Sequence, residues 1–189
     1  MNNSDKKGVT VIKSNTSKNI ALLGVMTSLA IVFGYLEHLI PLPIGAYGIK
    51  LGLANLVTVI LLYTLGGYAA FGVNMLRIIL CSILFGSFTS FWYSLIGGLL
   101  SFTIMILLKK TNKFSPLGIS ICGALAHNIG QTAVAVILME EFRIALYLPI
   151  LIIVGALTGA LIGIIAISIL KTPIFKGAAS FSAEQKHTK

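Results

Sequence analysis

Apolar residues run along this chain in long blocks separated by short polar breaks. The blocks are Ile20–Ile40, Leu51–Leu65, Tyr68–Phe85, Phe88–Leu108, Leu117–Met139 and Ile144–Leu170. A helix crossing the hydrocarbon core needs about 20 apolar residues, with some tolerance for short or tilted ones. On that measure the pattern predicts six membrane-spanning helices. Only Gly66-Gly67 divides the second block from the third. One helix through both would be too long for a simple span and would break at the glycine pair, so a hairpin is preferred. A polar N-tail, residues 1–18, precedes a single membrane domain over residues 19–171, and a basic tail over residues 172–189 follows it.

Composition agrees with this reading and removes its competitors. Of the 189 residues, 57% are hydrophobic and 10% are charged, whereas a soluble domain carries about 25% charged residues to keep its surface in water. A soluble enzyme, a disordered tail and a disulfide scaffold are excluded. The prediction is an all-α integral membrane protein of the cell membrane. Cys81 and Cys122 fall inside apolar blocks and read as small buried hydrophobes. The polar start, without a small-residue cleavage site after the first block, does not read as a removable signal.

The net charge of +9 is placed in a telling way. Eleven of the 14 basic residues sit in three patches: Lys6, Lys7, Lys13 and Lys18; Lys109, Lys110 and Lys113; Lys171, Lys176, Lys186 and Lys189. Basic residues concentrate in the cytoplasmic segments of membrane proteins. Both termini are therefore expected inside, with only Lys50 and Arg143 in outer loops. Such patches can also touch anionic lipid. A nucleic-acid reader would gather them on one face, so nucleic acid is not expected as a partner.

Polar residues inside the blocks are the candidate chemistry. Arg77 falls near the middle of the third block. An intramembrane arginine costs at least a few kcal/mol, so it faces the bundle interior or a wet cavity. One reading has its guanidinium forking onto a carboxylate or phosphate of a bound solute. The competing readings are that it satisfies backbone carbonyls and Asn74, or snorkels to an interface. No acid within the spans is expected to neutralise it, since Glu37 is counted as an interfacial charge beside His38. In the fifth block His127 and Gln131 share a helix face, with Asn128 beside them. They would line a pocket or tie helices together. Asn55 and Tyr93 lie toward the outer side and would continue the same cavity outward. Read alone, they are a cap and an interfacial aromatic. No second His or inward acid stands at ligand spacing, so no metal site is expected, and no cofactor.

The first outer loop contains Pro41, Pro43, Gly45 and Gly48, which end the helix and permit tight turns. It reads either as a lid over the cavity or as a connector. Small residues at helix-packing spacing recur at Gly24, Ser28, Ala30 and Gly34, and again at Gly155, Gly159 and Gly163. They allow close helix approach, either within the chain or onto another membrane subunit.

These residues carry a resemblance. The runs Phe33–Glu37, Ile40–Pro43, Gly48–Asn55, Leu76-Arg77, Leu84–Ser87, Tyr93–Gly98 and Gly123–Gln131 resemble the Gx transporter family, also labelled heptaprenyl diphosphate synthase component I. The likeness covers roughly Asn19 to Lys171. More distantly, the plan is similar to the substrate-binding S components of energy-coupling factor transporters. That resemblance implies an outer solute pocket, a gating first loop at Pro41, Pro43, Gly45 and Gly48, and a first helix that contacts a transmembrane coupling subunit through Gly24, Ser28, Ala30 and Gly34. ATP hydrolysis would belong to partner subunits, because the chain has no phosphate-binding Gly-Lys-Ser/Thr loop. Prenyl transfer needs acid clusters that hold magnesium on a diphosphate, and the single aspartate, Asp5, lies in the polar tail.

Two functions therefore compete. The first is a non-enzymatic transporter subunit that binds a small, acidic solute (a vitamin, flavin-like compound or diphosphate) from the outer face through Arg77, His127, Asn128, Gln131, Asn55 and Tyr93. The second is a non-catalytic accessory subunit of polyprenyl diphosphate or quinone biosynthesis, in which the polar residues are structural.

Overall fold

Helix ends fall where the sequence supplies caps and breaks. Ser87 and Ser115 cap the helices that follow them, accepting from the backbone N–H of Ser90 and Gly118 respectively. Pro116 takes the first helical position, where its missing N–H costs nothing. Gly66 turns the chain at φ +91°, a conformation suited to glycine. The computed structural model describes residues 6–39 and 52–172. Its elements are α1 (Lys6–Leu39), α2 (Asn55–Thr64), α3 (Gly67–Leu84), α4 (Phe88–Thr111) and α5 (Pro116–Met139), then a 3-10 helix (Phe142–Tyr147) and α6 (Leu148–Leu170).

Five of the helices are long and apolar enough to cross a membrane. The second predicted span is not. Only 10 residues of it are helical, about 15 Å at the rise of an α-helix, which is half the hydrocarbon thickness. All of α2 except Tyr63 is buried. It is the hub of the molecule, packing on α1, α3, α4, α5 and α6, while α1 and α6 do not meet. α1 is helical from Lys6, within the polar N-tail.

Side-chain contacts fix how the helices run. Gly34 of α1 faces Cys81 of α3, and the Tyr35 and Phe85 rings lie 4.7 Å apart, so α1 and α3 are parallel. Gly67 faces Ile106 and Gly98 faces Ile78, making α3 and α4 antiparallel. Gly97 meets Gly130 and Gly123 meets Met105, so α4 and α5 are antiparallel and in close contact. Along α6, Gly155, Gly159 and Gly163 pack on Asn128, Ala124 and Leu117 of α5. These three glycines thus serve packing within the chain. Lys109, Lys110, Lys113 and Lys171 consequently share one end of the bundle, here termed the basic end.

Two apolar clusters stack along the bundle. The larger surrounds α2, with Met26, Ala30, Val73, Phe102, Met105, Ile119 and Ile162 among its members, and fills the half toward the basic end. The smaller joins Tyr93, Val134, Ala135 and Ile144 at the other end. Asn74, Arg77, His127 and Gln131 lie between them, while Thr58, Thr64 and Ser120 are buried in the half that the larger cluster fills.

Candidate functional site

The buried stripe of α3 is Ala70, Val73, Asn74, Arg77 and Ile78, with helical spacing that turns all five to the bundle interior. Arg77 therefore points inward and is only 6% exposed. Its Nη2 donates to Asn74 Oδ1 at 3.1 Å, while its Nε lacks a hydrogen-bond partner among the described residues. Snorkelling to an interface is ruled out by this burial.

The expectation that Glu37 is an interfacial charge is corrected, since the residue is buried on α1. Spacing explains this placement. Met26, Ala30 and Glu37 are the buried positions of the described part of α1, and intervals of four and seven keep them on one helix face. The same face carries apolar packing near the basic end and an acid toward the other.

Two glycines of α4 let the polar groups of its neighbours approach. A Cβ on Gly97 would lie 3.0 Å from both Gln131 Cγ and His127 Nδ1, while one on Gly98 would lie 3.5 Å from Asn74 Nδ2. The Arg77–Asn74 pair of α3 and the His127–Gln131 pair of α5 therefore flank the Gly97-Gly98 step. Gln131 Nε2 and His127 Nε2 are 3.0 Å apart. The amide donates to this ring nitrogen when the ring proton is on Nδ1.

Asn128 does not join them. Its Nδ2 donates to Leu151 O of α6 at 2.8 Å, so its amide is occupied in holding α5 to α6. Ser120 makes a second tie, donating to Gly159 O at 2.8 Å. This bond fits the reading in which Asn128 ties helices together.

Asn55 opens α2 inside the protein, 5% exposed and with Nδ2 unpartnered among the described residues. Ten residues of α3 separate Gly67 from Arg77, and α2 is 10 residues long; both distances are about 15 Å, so Asn55 sits at the level of Arg77. Tyr93 is also buried, and its hydroxyl lacks a partner. It belongs to the smaller apolar cluster, one turn from Gly97 and farther from the basic end. Its burial argues against a role as an interfacial aromatic. Ser101, in the same stripe of α4, is buried with an unpartnered hydroxyl and was not anticipated. Its only signal in the sequence was its spacing, four residues beyond Gly97.

The proposed contact face of α1 splits in two. Gly24 has nothing within 4 Å of an added Cβ, and Ser28 is exposed. Ala30 is 1% exposed in the main core, and a Cβ on Gly34 would meet Cys81 Sγ at 2.6 Å. Packing inside the bundle takes Ala30 and Gly34 off any partner surface. Pro41, Pro43, Gly45 and Gly48 lie outside the described residues. A cavity of about 360 Å³ opens at the α3–α4 turn, lined mainly by Ile79, Ile83, Phe88 and Phe91 with Ser82, Gly86 and Ser87. No predicted site residue lines it. Among the described residues, no three His, Cys, Asp or Glu side chains gather as metal ligands.

Fold and interior together define a multi-pass membrane protein, with five apolar spans packed on a central half-helix and a polar layer between two apolar clusters. The chain belongs to the heptaprenyl diphosphate synthase component I family, whose model matches residues 26–169. No curated protein and no solved structure matches it.

Proposed function

We propose that this chain is a membrane transporter subunit that holds a small solute with an acidic group in the polar layer. Arg77 and Asn55 take the acidic group, and Gln131, His127 and Tyr93 contact the rest. The observation that carries this reading is a set of unsatisfied interior groups. Arg77 Nε, Asn55 Nδ2 and Tyr93 Oη belong to residues 5–7% exposed, yet each lacks a hydrogen-bond partner among the described residues. An unmade hydrogen bond on a buried polar group costs about 1–3 kcal/mol. Three such groups on α2, α3 and α4 are better explained by a bound molecule than by chance.

In this reading the basic end faces the cytoplasm and the solute enters from the opposite side. Energy would come from partner subunits, including a transmembrane coupling protein against the Gly24–Ser28 side of α1. The chain would not itself be an enzyme. Native mass spectrometry of gently purified protein tests the proposal. The expected result is a retained small molecule in the wild type and its loss in Arg77→Gln. Equal retention in both would refute the assignment of Arg77.

The family's name supports a second reading, an accessory subunit of polyprenyl diphosphate synthesis, and the bonds Arg77–Asn74 and Asn128–Leu151 would then be structural only. Under it, Arg77→Gln lowers the melting temperature and removes no ligand.

A further inference from the structure

We propose that residues 6–18, the start of α1, form a docking arm for an acidic face of a soluble protein on the basic side of the membrane. This goes beyond the solute-binding reading and shares with it only the cytoplasmic placement of the basic end.

α1 outruns the bundle. Of its 34 residues, the 21 from Asn19 to Leu39 form the apolar span. At the rise of an α-helix they cover about 31 Å, which already matches the hydrocarbon core of about 30 Å. The remaining 13 residues carry the helix about 20 Å further. Among the described elements, α1 packs only on α2 and α3. Gly34 lies against Cys81 in the parallel pair, and the same offset sets Gly67, the first residue of α3, opposite Ile20. α2 ends at Thr64, just before that point. Neither helix therefore runs alongside residues 6–18.

The arm is also a poor helix by itself. It contains one glycine and five β-branched residues, Val9, Thr10, Val11, Ile12 and Thr16, all of low helix propensity. Isolated helices of this length are marginal in water, so a second surface packed on the arm would supply the missing stability.

Charge defines that surface. The arm holds Lys6, Lys7, Lys13 and Lys18 and no acid. Lys110, Lys113 and Lys171 are exposed at the same end of the bundle, and the described acids, Glu37, Glu140 and Glu141, all lie toward the other end. Distance then separates a protein from the membrane surface as the partner. Headgroups add about 5–8 Å to each side of the hydrocarbon core, whereas Lys6 and Lys7 lie about 18–20 Å from it. The gap exceeds the screening length of about 8 Å at physiological ionic strength. Anionic lipid is out of reach of the far end of the arm, and an acidic soluble protein is within it.

The test is photocrosslinking in intact cells with p-benzoylphenylalanine at Thr10. The expected result is a discrete adduct with a soluble protein, joined at a segment rich in Asp and Glu. Changing Lys6, Lys7 and Lys13 together to Glu should lower its yield by about tenfold or more, since facing like charges are strongly disfavoured. Changing the same three to Arg should preserve it. Cysteine labelling at Lys113 checks that both variants keep the wild-type orientation. No soluble-protein adduct at Thr10, or equal yield in the Glu variant, overturns the proposal. The membrane alternative is read from a fluorophore on Lys7→Cys, in a background lacking Cys81 and Cys122, in nanodiscs of phosphatidylcholine with and without phosphatidylglycerol. Equal access of an aqueous quencher is expected; protection by phosphatidylglycerol would make the membrane surface the partner and overturn the proposal. None of these variants touches the polar layer, so solute retention in native mass spectra decides the solute-binding reading separately.

Discussion

Arg77 donates from its Nη2 to Asn74 Oδ1, one turn earlier on α3, and Glu37 on α1 is a buried charge of opposite sign. Where two such charges compensate each other, removing one leaves the other buried and typically costs about 3–5 kcal/mol. Glu37→Gln and Arg77→Gln should each destabilise the protein on that scale in denaturant or thermal unfolding. The double variant should recover much of the loss, with a coupling above about 1 kcal/mol. Additive losses would contradict the pairing. The candidate side chains Arg77, His127, Gln131, Asn55 and Tyr93 were legible because each is polar inside an apolar block. Glu37 was not, because it stands beside His38 near the end of its block, where charges normally sit in the interface. The interval from Ala30 to Glu37 was the usable signal. Asn128 was read either as lining a pocket or as tying helices, and its Nδ2 makes a tie to Leu151 O; adjacent helix positions diverge by about 100°, so a polar triplet in sequence need not be one in space.

At the scale of elements, glycine decides which helices touch. A Cβ on Gly130 would sit 2.9 Å from Gly97 Cα, backbone against backbone. Gly130→Ala should therefore push α5 from α4 and cost about 1–3 kcal/mol as overpacking. Gly72 lies mid-helix in α3 with nothing within 4 Å of an added Cβ. Gly72→Ala should be neutral or stabilising by up to about 1 kcal/mol through lost chain entropy. Melting temperatures of the two variants check this contrast. Helix boundaries were mostly legible: α3, α4 and α5 end within three residues of the predicted blocks. The second block was not, since an apolar run measures burial and not span. In Leu51–Leu65 the helix starts only at Asn55, after Gly52 at φ +77°, and α2 is buried by its neighbours rather than by lipid.

For the molecule as a whole, the central half-helix explains why the interior can be polar at one level and apolar on either side. α2 fills the half near the basic end, and its head, Asn55, lies at about the level of Arg77. Both described ends of the chain lie at the basic end, as an even count of helical segments requires. Positive residues retained on the cytoplasmic side predict a definite labelling pattern. In a background lacking Cys81 and Cys122, a cysteine at Lys113 should react with an impermeant thiol reagent only after the membrane is opened. One at Glu141 should react in intact cells. The reverse pattern would invert the proposed route of solute entry. The most direct measurement is an experimental density map of the detergent-purified protein at a resolution that defines side chains. The account predicts density for a non-protein molecule contacting Arg77 Nε, Asn55 Nδ2 and Tyr93 Oη. A map in which those groups bond only to one another or to ordered water would contradict it.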